Sequence, residues 1–221
     1  MKKNILITLL MWLFLTNTYS QDVLIDSTSF SIKHGPLTFY LDADTASFIS
    51  VQKITYSDIL RLTGVRSDKW HKEKPFGPYK KEYYLHTGYD LGHLTPSNIT
   101  SYNDSLNYTS FSFFNQAPQL AGFNRGKWAN LEGNIELLII KKQENATIVT
   151  GVIYNNINKE YLDSSRVKIP VYFFKIIFFL ESNEIHAWLG SNVNGLLLET
   201  TIANIIDIAK QNKNKVYIRI N

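Results

Sequence analysis

The stretch Gly88-Tyr89-Asp90-Leu91-Gly92-His93-Leu94-Thr95-Pro96 sets a carboxylate and an imidazole three residues apart around a glycine. A neutral imidazole can take a proton from water near neutral pH, which makes His93 a candidate general base. Three more polar groups follow in apolar company. Asn115 lies in Phe114-Asn115-Gln116-Ala117-Pro118-Gln119, and Asn124 and Glu132 lie in Phe123-Asn124-Arg125-Gly126-Lys127-Trp128-Ala129-Asn130-Leu131-Glu132. An amide oxygen is a hard ligand suited to Mg²⁺, which prefers oxygen, keeps several waters and needs few protein ligands. A carboxylate nearby can hold one of those waters by a hydrogen bond. Base, water and hard divalent ion together suit the hydrolysis of phosphodiesters, because the ion offsets charge that grows on the phosphate.

Each residue also has an ordinary reading. Asn124 can cap a helix, and Asn115 can bond a neighbouring turn. Glu132 can sit on an exposed helix face, and His93 can be a hydrogen-bonded structural histidine. If Asn124 opens a helix, Glu132 lies eight residues on, about 80° round the axis. The two side chains would then flank one cleft.

The segment before the histidine supplies charge. Between Arg61 and Gly88 there are seven Lys or Arg residues, among them Arg66, Lys80 and Lys81, against Asp68, Glu73 and Glu82. Such an excess is either a solvated loop or a surface for a polyanion. Over the whole chain the balance is modest. Removing Lys2 and Lys3 from the 23 basic residues leaves 21 against 19 acidic ones, so any attraction to polyanions is local. The chain has no cysteine, which excludes disulfides, thiol catalysis and thiolate zinc sites.

The elements that would position these residues are legible in outline. Lys2 and Lys3, the apolar run Ile5 to Leu15 and the small residues Thr18-Tyr19-Ser20 are laid out as a secretory signal, too short to span a bilayer. Residues 1–20 are expected to be removed, leaving residues 21–221 as one exported domain, secreted or periplasmic, with no membrane span. Phe30 to Ile32, Leu37 to Leu41 and Phe48 to Tyr56 read as strands, as do Thr147 to Tyr154, Val171 to Leu180, Ile185 to Leu189 and Val216 to Ile220. Arg61 to Gly88, with Pro75, Pro78 and three glycines, reads as loop. Tyr108 to Phe114 is aromatic and strand-prone. Asn124 to Gln143 has apolar positions at helical spacing, and Thr200 to Ala209 repeats isoleucine at helical intervals. Strands on both sides of a central motif, with few helices, predict an α+β domain built on a mixed, mainly antiparallel sheet.

The two polar blocks, in this order and spacing, resemble the DNA/RNA non-specific endonucleases, secreted members of the ββα-metal (His-Me finger) nucleases. That family carries Asp-Arg-Gly-His followed by a small run and Pro, which this chain matches with Asp90-Leu91-Gly92-His93-Leu94-Thr95-Pro96. Its second block, Ser-Asn-x-x-Pro-Gln then Leu-Asn-x-Gly-x-Trp-x-x-Leu-Glu, is matched by Phe114 to Gln119 and Phe123 to Glu132. Val149-Thr150-Gly151 and Lys168 to Val171, followed by Lys175, are similar to the family's strands, so the likeness runs from about Phe39 to Asn192. The resemblance implies a ββα-metal finger site that cleaves DNA and RNA with Mg²⁺, or Mn²⁺, as cofactor. It makes His93 the general base, Asn124 the sole direct protein ligand of the ion, and Glu132 the group that orients a water of its shell. Asn115 would hold the histidine region and the phosphate in register. Asp90 and Gly92 would be supporting residues, the glycine letting the backbone turn tightly before His93.

One departure matters. The family's arginine between Asp and Gly is Leu91 in this chain, and a leucine cannot stabilise charge on the scissile phosphate. Arg125, next to the proposed metal ligand, is the favoured replacement, with Arg66 as the other candidate. The competing expectation is a weak or inactive nuclease-fold protein that binds nucleic acid or a protein partner through the basic segment. A transition-metal site on His86 and His93 would need a helix that Gly88, Gly92 and Pro96 oppose.

Overall fold

In a computed structural model of the protein, the residues described are 24–25, 31–41, 47–73, 80–162, 165, 167–214, 216 and 218–219. The expected signal segment, residues 1–20, lies outside them, as do Lys74, Pro75 and Pro78 of the basic segment.

The strands are β1 (Leu24–Ile25), β2 (Ser31–His34), β3 (Leu37–Leu41), β4 (Ser47–Ile54), β5 (Tyr89–His93), β6 (Gln116–Leu120), β7 (Ala146–Tyr154), β8 (Pro170–Phe179), β9 (Ile185–Ser191), β10 (Leu197–Thr200) and β11 (Ile218–Arg219). The α-helices are α1 (Tyr56–Ile59), α2 (Asp104–Ser110), α3 (Ala121–Phe123), α4 (Ala129–Lys142) and α5 (Ile202–Gln211). Seven strands make one sheet in the order β10-β9-β8-β7-β4-β3-β2, antiparallel at every pairing. The expected α+β class with a mainly antiparallel sheet is what the chain forms. In β3, Leu37, Phe39 and Leu41 are fully buried while Thr38 and Tyr40 are not, the period of two that a strand with one core face requires. β7 is buried at every position, so both faces of the sheet centre are covered. α4 contributes Leu131, Ile135 and Ile139 to that core, one stripe at a spacing of four.

Three elements differ from the sequence expectation. The aromatic stretch Tyr108 to Phe114 is not a strand. Asn103 caps α2 by accepting from the Leu106 N–H, the helix runs to Ser110, and a 3-10 turn follows at Phe113–Asn115. The helix expected from Asn124 starts as α4 only at Ala129. It is preceded by a wider turn, Asn124–Trp128, in which the Ala129 N–H reaches back to the Asn124 carbonyl and Gly126 leaves helical values. The stretch around His93, where a tight turn was expected at Gly92, is strand β5, paired antiparallel with β6 so that His93 faces Gln116 and Gly92 faces Ala117.

This β5–β6 ribbon is fastened to the large sheet by buried polar bonds. Asn192, at the end of β9, donates to the carbonyls of Pro118 (3.0 Å) and Pro170 (2.8 Å) and accepts from the Leu120 N–H (2.8 Å). Ser50 of β4 bonds Thr95 just beyond β5 at 2.7 Å. The ribbon and the start of α4 are therefore held over one face of a rigid sheet, and the cleft lies between them.

Candidate active site

An open cleft of about 430 Å³ is lined by Arg66, Trp70, Asp90, Leu91, His93, Ser97, Asn98, Asn124, Arg125 and Glu132, among others. The strand period sets its walls. Leu91 and His93 share one face of β5, and Asp90 points to the other.

The His93 ring packs against Trp70 (centroids 4.7 Å apart) and edge-on against Phe111 (4.9 Å), and its Nε2 has no hydrogen-bond partner. Burial in this aromatic niche, then the charges of Arg66 and Lys175, hold its pKa down from 6.5 to about 3. The imidazole is therefore neutral at physiological pH, with a buried ring nitrogen that has no hydrogen-bond partner among the described residues.

Asp90 joins the two halves of the site. One carboxylate oxygen accepts from Asn124 Nδ2 (2.9 Å) and Arg125 Nε (2.9 Å), and the other accepts from an Arg125 terminal nitrogen (2.6 Å). Partial burial pushes the Asp90 carboxyl up, but these hydrogen bonds and the guanidinium charge outweigh it and hold the group below its ordinary value. A carboxylate can only accept, so the Asn124 amide turns its NH₂ toward Asp90, which leaves its Oδ1 free of that bond. That is the atom a hard cation would take. Arg125 is committed to Asp90 through two bonds, with 73% of its side chain exposed. The expectation that it has taken over a phosphate contact therefore meets a competing partner.

Glu132 lies deeper. Its side chain makes a 3.4 Å ion pair with Lys175, which is 1% exposed and also donates to Thr150 Oγ1 (2.7 Å) and the Leu94 carbonyl (3.3 Å). Burial pushes the Glu132 carboxyl up and the Lys175 ammonium down, and the charge of each restrains the shift of the other. One turn on, Glu136 accepts both 2.8 Å bonds from the Asn98 amide. Lys175 thus ties the backbone beside His93 to the helix that carries Glu132. In the sequence Lys175 stands out only as part of a family-like strand, although a lysine inside the apolar run Val171 to Leu180 is itself a visible signal.

Asn115 is fully buried beneath the cleft. Its amide accepts from the Thr95 N–H (2.8 Å) and donates to the carbonyls of Thr95 (2.7 Å) and Ser110 (2.8 Å), acting as a backbone mimic that fixes the chain just past His93. It is not among the residues at the cleft surface. Gly92 does not make a turn. A Cβ there would fall 2.3 Å from Gln119 Oε1 and 2.5 Å from Gln119 Cβ, so the missing side chain admits Gln119 against β5. This corrects the expectation of a tight bend at the glycine.

Arg66 lines the cleft through a different set of partners from Arg125. It donates to Ser97 (2.7 Å) and Asp68 (3.2 Å), with its guanidinium carbon 5.3 Å from the centre of the Phe111 ring that also walls His93. Leu91 belongs to an apolar cluster that includes Trp70 and Phe113. Lys80 and Lys81 do not reach the His93 cleft and line a neighbouring one. His86 is exposed, and among the described residues no group of three His, Cys, Asp or Glu could share a metal ion, so nothing supports a transition-metal site.

The residues present fit a hard, mostly hydrated cation: the amide oxygen of Asn124, which Asp90 does not engage, and the Glu132 carboxylate, ion-paired with Lys175 at 3.4 Å, belong to residues that line one cleft. An antiparallel ribbon bearing His93 is set against the start of a helix bearing Asn124 and Glu132, the arrangement that the sequence resemblance to the ββα-metal finger nucleases implies. The chain belongs to the DNA/RNA non-specific endonuclease family, whose sequence profile matches residues 16–218. It is 28% identical over 142 residues to a salivary endonuclease of Lutzomyia longipalpis, a match covering 58% of this chain and 34% of that protein. It is 29% identical over 119 residues to a nuclease of Nostoc sp., covering 54% of this chain and 40% of that one. The matches thus span well under half the length of these relatives. The fold is that of a chain in the EndoG/EndoGI complex, with a TM-score of 0.66 at 18% identity over 81% of this chain and 83% of that one.

Proposed function

We propose that the protein is an exported endonuclease that hydrolyses phosphodiester bonds of DNA and RNA with little sequence preference, using Mg²⁺ or Mn²⁺. The observation that carries this reading is a neutral His93, its Nε2 without a hydrogen-bond partner among the described residues, sharing one cleft with Asn124, whose amide oxygen Asp90 does not engage. Export rests on Lys2, Lys3 and the apolar run Ile5 to Leu15; among the described residues no helix is long and apolar enough to cross a membrane.

In this reading Nε2 of His93 accepts a proton from water as the water oxygen bonds to phosphorus and the P–O bond to the leaving sugar oxygen breaks. An imidazole with a pKa near 3 is a weak base in the free protein. A phosphodiester anion beside Arg66 offsets one of the charges that depress it and raises its basicity. Asn124 would hold the ion by its amide oxygen, and Glu132 would hold a water of the ion's shell. When bound, the ion would neutralise charge on the phosphate and leaving oxygens. Asn115 positions the chain after His93, and Asp90, clamped by Arg125, presents Asn124.

Arg66 is better placed than Arg125 to replace the cation missing at Leu91, since it flanks the histidine and is not held bidentately by a carboxylate of the site. Nothing on the cleft surface calls for a particular base, and groups that address phosphate serve DNA and RNA alike. The competing reading, a weak or inactive binder, is favoured by one observation: Leu91 sits on the His93 face of β5, where a cation would help most. Incubating the purified protein with plasmid and with RNA, in Mg²⁺, Mn²⁺ or EDTA, separates the two. Cleavage of both polymers that EDTA stops is expected. Binding without cleavage in either metal would sink the enzymatic reading.

A further inference from the structure

Behind Trp70 lies a second cleft of about 480 Å³, and Trp70 lines both. Its ring meets His93 of the first cleft in a tilted contact at 4.7 Å and stacks on Phe113 of the second at 5.9 Å. The second cleft carries four lysines, Lys69, Lys72, Lys80 and Lys81, against Asp68 and Glu82. Asp68 is already paired with Arg66, and none of the four lysines forms an ion pair with a described carboxylate. Its floor is fixed in advance. The His71 backbone is bonded to Phe111 (3.1 Å) and Phe113 (3.0 Å), and its ring is stacked on Tyr108 at 4.1 Å. A concave surface with surplus positive charge on a rigid floor attracts an extended polyanion.

We infer that this second cleft is a phosphodiester subsite, which takes the backbone of the same strand beyond the scissile phosphate as it passes Trp70. The inference rests on the nuclease reading above and deepens it: the substrate is an oligonucleotide of some length rather than a minimal phosphodiester. Chain geometry sets the span. Arg66 of the first cleft and Lys69 of the second are three residues apart, at most about 10 Å. Strand charges spaced about 3.4 Å along a duplex axis put the second contact within roughly three nucleotides of the first. Lysines meeting phosphates carry no base information, so the subsite adds length dependence without sequence preference.

The test compares the wild-type protein with a variant carrying Lys69→Gln, Lys72→Gln, Lys80→Gln and Lys81→Gln. Initial rates are measured on oligonucleotides of one sequence family, from a dinucleotide to twelve nucleotides. Wild-type kcat/KM should rise about tenfold or more with length and then level off, and the variant should lose most of that rise. A wild-type rate indifferent to length, or a variant with the wild-type length dependence, overturns the subsite. A second arm measures binding of the twelve-nucleotide strand in EDTA by fluorescence anisotropy across a salt series, which needs no cleavage. The variant's log–log salt slope should be shallower by about 0.7 for each lysine that meets a phosphate. Unchanged slopes reject the subsite even if the enzyme cuts, while altered slopes in a protein that cuts nothing support the subsite and reject the nuclease reading. Displacement of the strand by polyglutamate at equal charge concentration would make the cleft a general polyanion site and remove the assignment to phosphodiesters.

Discussion

Replacing His93 by Gln removes one titrating group from an aromatic niche, and the consequence for acid stability follows from the geometry. Burial first, then the charges of Arg66 and Lys175, hold the folded-state pKa to about 3, against 6.5 for an unperturbed histidine. Between those values the unfolded chain binds a proton that the folded chain refuses, so stability falls as pH falls. The contribution is fully present above pH 6.5 and is lost through the window down to about 3. The linkage slope is about 1.4 kcal/mol per pH unit, and it integrates to a loss of about 3 kcal/mol between pH 7 and pH 4. Asp90, held low, also loses stability in acid, whereas Glu132 and Glu136, held high, gain it. All three remain in the variant and largely cancel in the difference. Urea unfolding of both proteins at pH steps from 7 to 4 gives two stability curves. The His93→Gln curve should be flatter, the gap closing or reversing by about 3 kcal/mol at pH 4. Parallel curves would show that the histidine is not desolvated as described.

Other perturbations probe separate parts of the site. Asn124→Ala should weaken Mg²⁺ binding, so activity should fall most at low Mg²⁺ and recover in part at high concentration; an unchanged titration removes Asn124 from the ion. Gly92→Ala should destabilise by about 1–3 kcal/mol, because Gln119 must leave its seat on β5; a thermal midpoint equal to wild type would show that the seat is not needed. Arg66→Ala should lower kcat/KM roughly a hundredfold, and Leu91→Arg in that background should restore about tenfold or more by returning a cation to the His93 face. Should Arg125→Ala cost more than Arg66→Ala with metal affinity unchanged, the phosphate contact belongs to Arg125 instead.

The large sheet was legible because its strands carry their own signals. Leu37 to Leu41 alternates, and β7 and β8 are β-branched and aromatic-rich runs that are mostly apolar. The ribbon that carries His93 was not, because Gly92 and Pro118 weaken any local strand signal, while Asn192 fastens β6 to the sheet through the Pro118 carbonyl and the Leu120 N–H. Tyr108 to Phe114 misled in the opposite sense. Aromatic content suggested a strand, but the cap at Asn103 and burial of Phe111 and Phe114 made it helical and irregular. The candidate site residues could be read as types and spacing, and His93, Asn124 and Glu132 do share one cleft. Their relations could not be read. The Asp90–Asn124–Arg125 clamp spans some 35 residues, Trp70 comes from a segment with no local mark of the site, and Lys175 is marked only as a lysine inside an apolar run.

The central claim, that His93 takes the proton from the attacking water, is tested most directly by single-turnover cleavage of a labelled oligonucleotide with wild type and His93→Ala at saturating Mg²⁺, with strand binding measured in parallel. The variant is expected to fold normally and bind the strand with wild-type affinity, while its cleavage rate falls by about a hundredfold or more. A variant that cleaves at the wild-type rate contradicts the claim.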